Sequence, residues 1–137
     1  MTKLKIYTDG GARGNPGPSA TGFIIKSESG EIIAKIGRKI GEATNNIAEY
    51  QAVIDALIYI RDKKLFLNNS LEFFLDSRLV VNQVNGLFKI KNSNLRLLLM
   101  KIRQLEKEAG GGINYRLVSR EENREADRMV NQALDRQ

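Results

Sequence analysis

The sequence predicts a mixed α/β fold, a sheet of mixed strand direction with helices packed against it. Three observations carry that reading. Three β-type segments follow one another at the start, with turn residues between them. Helical periodicity then alternates with two short apolar runs, giving the order βββ-α-β-α-α-β-α. Finally, 137 residues with 42% hydrophobic and 28% charged side chains suit one globular domain spanning residues 1–137, with no repeat or linker inside it.

Each element has its own justification. Leu4-Lys5-Ile6-Tyr7-Thr8 alternates apolar and polar and then meets Asp9-Gly10-Gly11, the pattern of a strand running into a turn. The loop Gly10 to Ser19 holds four glycines and both prolines, Pro16 and Pro18. Ala20 to Ser27 and Glu31 to Ile40, separated by Glu28-Ser29-Gly30, read as an antiparallel hairpin. Ala48, Ala52, Val53, Ala56, Leu57 and Ile60 recur at helical spacing, with Thr44 or Asn45 available as the cap. Leu71-Glu72-Phe73-Phe74-Leu75-Asp76 is a nearly continuous apolar run, the pattern of a strand buried on both faces. Leu79 to Val84 reads as a short helix; Leu95, Leu98, Leu99, Ile102 and Leu105 mark a longer one, stopped by Gly110-Gly111-Gly112. Ile113 to Val118 is a last strand. Ser119 and Glu122 form a capping box for a final helix with the stripe Ala126, Met129, Val130, Ala133 and Leu134.

Composition narrows the chemistry. Lys and Arg number 22 against 16 Asp and Glu, and the net charge of +6 makes a polyanion a reasonable partner. With no cysteine there is no disulfide, no thiolate nucleophile and no Cys-ligated metal. With no histidine there is no Ser-His-Asp triad, no histidine zinc site and no imidazole acid–base catalysis. Any enzymatic work falls to carboxylates, amides, hydroxyls and cations. The apolar stretch in MTKLKIYTDG is too short for a signal peptide or membrane span, so a cytoplasmic protein without membrane association is expected. No exposed apolar pattern demands an oligomer, and a monomer is expected.

Four carboxylates stand out by position. Asp9 and Asp76 each end an apolar strand, at the strand outlets where α/β sheets collect ligands. Glu49 and Asp127 each flank a helical apolar stripe, one position after Ala48 and Ala126. Taken singly, each also has an ordinary reading as a turn, a cap or a solvated helix position. Taken together they permit a four-carboxylate site. Converging carboxylates repel unless cations neutralise them, and oxygen-only ligands suit Mg²⁺ or Mn²⁺. Two such ions roughly 3.5–4 Å apart activate a water and stabilise the leaving oxygen in phosphodiester cleavage, with no need for histidine. Asn15, Asn45 and Asn46 serve either turn and helix-start geometry or contact with ribose hydroxyls and base edges. Between Gly86 and Ala109, Lys89, Lys91, Arg96, Lys101, Arg103 and Lys107 stand against only Glu106 and Glu108, a solvated face or a backbone-binding stretch.

Four segments also resemble one family in order. Tyr7-Thr8-Asp9-Gly10-Gly11 with Gly14-Asn15-Pro16-Gly17-Pro18 resembles the opening of type 1 ribonuclease H. Thr44-Asn45-Asn46-Ile47-Ala48-Glu49 resembles its TNNxxE helix start, Leu75-Asp76-Ser77 its DS motif, and Asn123-Arg124-Glu125-Ala126-Asp127 its closing NxxAD segment. The resemblance implies an RNase H-like fold, a five-stranded mixed sheet whose first three strands are antiparallel, flanked by helices. It also implies an endonuclease cutting the RNA strand of RNA/DNA hybrids with two Mg²⁺ ions, Mn²⁺ as a substitute, leaving 3′-hydroxyl and 5′-phosphate ends. By the same resemblance Asp9, Glu49, Asp76 and Asp127 are the catalytic, metal-binding carboxylates. Asn15, Asn45 and Asn46 fall where the family contacts the hybrid's minor groove, and Thr44 with Asn92 resembles its pocket for a DNA-strand phosphate.

Three departures mark this chain. The stretch Ser119-Arg120-Glu121-Glu122 is short and lacks the loop histidine of many members, as in the archaeal-type subgroup. Arg78 follows Asp76-Ser77 where glutamine is frequent, altering one substrate contact. The basic protrusion with its tryptophans is absent, so hybrid affinity is expected to rest on the Lys89–Lys107 charges. Two alternatives stand beside the nuclease: a non-catalytic module binding hybrid or duplex RNA, and a same-fold nuclease acting on duplex RNA or junctions.

Overall fold

The computed structural model describes residues 2–136. Strands β1 (Thr2–Ala12), β2 (Gly17–Ser27) and β3 (Ile32–Ala43) lead into α1 (Asn45–Asp62) and β4 (Asn69–Leu75). Then come α2 (Arg78–Val84), α3 (Ser93–Glu108), β5 (Ile113–Leu117) and α4 (Arg124–Asp135). The strands form one sheet in the order β3-β2-β1-β4-β5. The pairs β1–β2 and β2–β3 are antiparallel, whereas β4 runs parallel to both β1 and β5. This is the RNase H-like architecture expected above.

The period of two along each strand divides the core. Leu4, Ile6, Phe23, Ile25, Leu71, Phe73 and Leu75 face the layer made by α1 and α3, where Val53, Leu57, Ile60, Ile102 and Leu105 are fully buried against them. At roughly 1.5–3 kcal/mol per large apolar side chain withdrawn from water, this cluster dominates stability. A smaller cluster of Ala20, Val130 and Ala133 joins α4 to the opposite face. There the helix backbone rests on glycine: a Cβ on Gly22 would lie 2.6 Å from the Ala126 carbonyl oxygen.

Local signals set most helix ends. The Thr44 hydroxyl accepts from the Ile47 N–H at 3.2 Å and caps α1. Ser77 and Asn92 cap α2 and α3 in the same way. Gly110, Gly111 and Gly112 all take positive φ after α3, a conformation that side chains disfavour.

Three expectations are corrected. First, β1 does not turn at Asp9-Gly10; it stays paired with β2 through Ala12, and β2 begins at Gly17 rather than Ala20. Second, the Ser119–Glu122 box forms, yet it closes a turn ahead of α4 rather than starting it. The N-cap of α4 is Asn123, whose side chain makes no capping bond because its amide is turned inward. Third, β4 is not covered by helices on both faces. Leu71, Phe73 and Leu75 join the core, but α4 packs on β1, β2 and β3, so Phe74 is only half-buried and Glu72 is enclosed by ion pairs with Lys3 and Arg116. Ser77 caps α2, which leaves the Asp76 carboxylate available. Among the described residues no helix is long and apolar enough to cross a membrane.

Candidate active site

The site arises where two parallel strands part. Pairing of β1 with β4 ends at Tyr7–Phe74, and Asp9 and Asp76 each lie two residues further on. Helix α1 supplies a third acid because Gly10, lacking a side chain, lets the Ala48–Glu49 backbone come down onto β1. The Gly10 N–H then donates to Glu49 Oε1 at 2.8 Å. As a result one carboxylate oxygen from each of Asp9, Glu49 and Asp76 falls within 4.8 Å of the others. Asp9 and Glu49 are both buried, at 7% exposure.

Electrostatics make this cluster costly without a cation. Burial, followed by the charge of Glu49, holds the Asp9 carboxyl far above the ordinary carboxylate range, with Asp76 and Asp127 adding to the effect. Burial also raises Glu49, against the Gly10 N–H bond and the nearby charge of Arg120. Glu49 Oε2 is buried without any hydrogen-bond donor. An orphaned buried oxygen beside two more carboxylates is the donor set a hard divalent ion requires, so the residues present fit a metal.

The fourth carboxylate is placed differently. Asp127 is exposed on the first turn of α4 and lines the same cleft of ≈ 660 Å³, but it stands outside the group of three. Its Oδ2 lies 3.4 Å from the Asn131 amide. Asn45 and Asn46 also line the cleft. Asn45 Oδ1 accepts from the Ala12 N–H, and Asn15 Oδ1 accepts from the Asn45 N–H, both at 2.9 Å. These bonds tie the β1–β2 loop to the start of α1 and use the amide oxygens. Thr44 and Asn92 do not line the cleft; each holds a helix N-terminus through its side-chain oxygen. Arg78 lines an adjoining depression with Asp76 and Arg120. In the basic stretch, Lys89, Lys91, Arg96, Lys101 and Lys107 are exposed, while Arg103 pairs with Glu106 at 3.0 Å.

Two contributions were not anticipated. Asn123, 1% exposed, donates from Nδ2 to the Thr8 carbonyl at 2.8 Å and lies 3.4 Å from Asp76 Oδ2. It therefore links α4 to both carboxylate-bearing strands. Its place four residues before Asp127 in the NxxAD segment was the signal that pointed to it. Arg120 and Arg124 bring positive charge to the cleft rim, and no local pattern announced them.

A family description, "Reverse transcriptase-like", matches residues 7–133. The solved LC11-RNase H1, isolated from compost, superposes with a TM-score of 0.93 and 40% identity, covering 98% of this chain and 97% of that one. This chain belongs to the type 1 ribonuclease H family. Within the family, Ribonuclease HI of Halobacterium salinarum is 38% identical over 135 residues, 97% of this chain and 65% of that protein. The bifunctional protein Rv2228c of Mycobacterium tuberculosis is 37% identical over 135 residues, but this chain spans only 36% of its length. A second structure of LC11-RNase H1, in complex with RNA/DNA hybrid, superposes with a TM-score of 0.89 at 39% identity and covers 97% of each chain.

Proposed function

We propose that this protein is an endoribonuclease that hydrolyses the RNA strand of RNA/DNA hybrids, leaving 3′-hydroxyl and 5′-phosphate ends. The observation that carries the proposal is the meeting of Asp9, Glu49 and Asp76, from three separate elements, within 4.8 Å. The hybrid-bound state of the related LC11-RNase H1 supports the substrate. Asp9, Glu49, Asp76 and Asp127 would hold two Mg²⁺ ions, with Mn²⁺ as a substitute. When bound, such ions lower the pKa of a water and neutralise charge developing on the phosphate.

The chain's own residues do the rest. The Gly10 N–H fixes one oxygen of Glu49 and leaves the other buried without a donor among the described residues. Asn123 steadies Asp76. Arg120 and Arg124 offset the acids at the rim, where phosphates must approach. The side-chain N–H groups of Asn15 and Asn45 make no hydrogen bond among the described residues, and they are donors for the hybrid's minor groove. Asn46 and Arg78 flank the same approach, and the capped helix starts at Thr44 and Asn92 are where a DNA-strand phosphate would sit. Glu49 is also close enough to the cleft floor to read a ribose 2′-hydroxyl, which distinguishes RNA from DNA.

The test is a gel assay on a labelled RNA/DNA hybrid beside RNA duplex, DNA duplex, single-stranded RNA and a junction, each with Mg²⁺, Mn²⁺ or EDTA. Metal-dependent cutting of the hybrid's RNA strand, abolished in Asp76→Asn, is expected. Hybrid binding without cutting under any metal would make the protein a binding module, and preference for duplex RNA or a junction would reassign the substrate.

A further inference from the structure

We propose that the open sheet face of β1, β4 and β5 is a track for single-stranded nucleic acid running away from the carboxylate cluster. The inference takes its ligand class from the nuclease reading above.

Among the described residues no helix packs over this face. Helix α4 packs on the opposite half of the sheet, over β2, β3 and the end of β1. The pairing register sets Lys3, Lys5 and Tyr7 of β1 beside Ser70, Glu72 and Phe74 of β4, with Arg116 of β5 opposite Phe74. On these three strands three cations therefore share the surface with one carboxylate, and at the β2 edge Lys26, opposite Lys5 and 5.6 Å from the Tyr7 ring centroid, is paired with Glu125 of α4. Glu72 divides itself between two of the three, with Oε1 4.0 Å from Lys3 Nζ and Oε2 3.0 Å from Arg116 Nε. Buried at 7% exposure, it offsets one of the three positive charges and leaves the strands a net excess of cations, with the Lys3 side chain 43% and the Arg116 side chain 66% exposed. Lys5 makes no ion pair among the described residues.

The face is also continuous with the active site. Tyr7 and Phe74 stack at 4.8 Å between ring centroids and 19° between planes, half-buried. Asp9 and Asp76 follow them by two residues on the same two strands. Moving away from the carboxylates, the surface thus passes from acids to an aromatic pair and then to lysines. At about 3.3 Å per residue, Lys5 stands about 13 Å and Lys3 about 20 Å from Asp9, a run of a few nucleotides. A rigid duplex seated in the cleft diverges from a flat sheet, whereas a flexible single strand can bend onto it. Cations along the backbone path next to an aromatic pair are what such strands bind without sequence preference.

The experiment compares a blunt hybrid with hybrids carrying a single-stranded extension at one end or the other, bound in EDTA and read by fluorescence anisotropy. Wild type is expected to bind one extended form more tightly than the blunt form. In Lys3→Gln/Lys5→Gln that advantage should vanish. Raising salt from about 50 to about 200 mM should cost the extension about sevenfold more in wild type than in the double variant, the loss expected for two phosphate contacts on a single strand. Lys5→Gln alone, which disturbs no ion pair, should lose part of the advantage and guards against misfolding of the double variant, which circular dichroism also monitors. Equal affinity for blunt and extended hybrids overturns the track, as does an advantage that survives both substitutions. Competition by poly-glutamate as effective as by oligothymidylate also overturns it, because the face would then accept any acidic polymer. Cleavage of the blunt hybrid with metal is measured separately; its absence would refute the nuclease reading while the EDTA binding data still judged the track.

Discussion

Replacing Gly10 with alanine tests whether the close approach of α1 to β1 builds the carboxylate cluster. A Cβ at this position would lie 2.1 Å from the Ala48 carbonyl oxygen, 2.2 Å from the Ala48 carbonyl carbon and 2.5 Å from the Glu49 nitrogen. Ordinary contact begins near 3.4 Å, so the helix and strand must separate by roughly 1.3 Å. All three obstructing atoms are backbone, and no side-chain rotation relieves them. Overpacking of this kind costs about 3 kcal/mol, the upper part of the usual range. For a chain of 137 residues that lowers Tm by roughly 10 °C. The same displacement pulls Glu49 from the 2.8 Å Gly10 bond and from the other two carboxylates. A misplacement near 1 Å costs about 10²-fold in rate, so kcat should fall by that order in the fraction still folded. Gly11→Ala is the matched control, since its Cβ meets only Val130 Cγ1 at 3.5 Å, and it should melt within about 2 °C of wild type. Differential scanning calorimetry and hybrid cleavage read both effects. If Gly10→Ala melted and cleaved like Gly11→Ala, the argument from close approach would be wrong.

Three further predictions concern the same frame. Because Asp9 and Glu49 are raised in the fold, the native metal-free protein binds protons more tightly than the unfolded chain; this contribution to stability is full below ordinary carboxylate pKa values and is lost as pH climbs through the raised ones. Asp9→Asn should therefore melt higher than wild type in EDTA at neutral pH, with a flatter pH profile, and added Mg²⁺ should stabilise wild type more than the variant; a lower Tm for Asp9→Asn in EDTA would contradict the sign. Asn123→Ala leaves the Thr8 carbonyl without its buried donor and Asp76 without the Asn123 amide, so urea unfolding should show a loss of about 1–3 kcal/mol together with reduced kcat. Ile102→Ala, in the fully buried layer of α3, should cost about 2–5 kcal/mol while leaving kcat per folded molecule close to wild type, which separates core damage from site damage in the same assays.

Much of the frame was readable in the chain because it depends on neighbours a few residues apart. Thr44 caps α1 through a hydroxyl three residues from its donor, and the glycines after Glu108 stop α3 by their own backbone freedom. The acids of the site were legible as well, since each stands beside a strand end or an apolar stripe and the segments carrying them follow the family's order. Their geometry was not. Asp9-Gly10-Gly11 has the composition of a turn, yet strand pairing with β2 carries it on to Ala12, and the missing side chain serves the approach of α1. Ser119 and Glu122 form their box as local chemistry dictates, but α4 waits for Asn123, whose amide is engaged by a carbonyl on β1. The apolar run of β4 predicts cover on both faces, and its register with β1 and β5 leaves one side open.

The sequence by itself determined the element order, the start of α1, the stop of α3 and the placing of candidate acids at strand ends and beside helix stripes, because those depend on side-chain chemistry and spacing along a single segment. Only the tertiary structure decided that three of those acids meet while Asp127 stays at the rim, that Asn123 ties them together, and that a basic sheet face continues from the site. Each of these rests on contacts between residues tens of positions apart, and such contacts exist only once strand register and helix packing have set the distances.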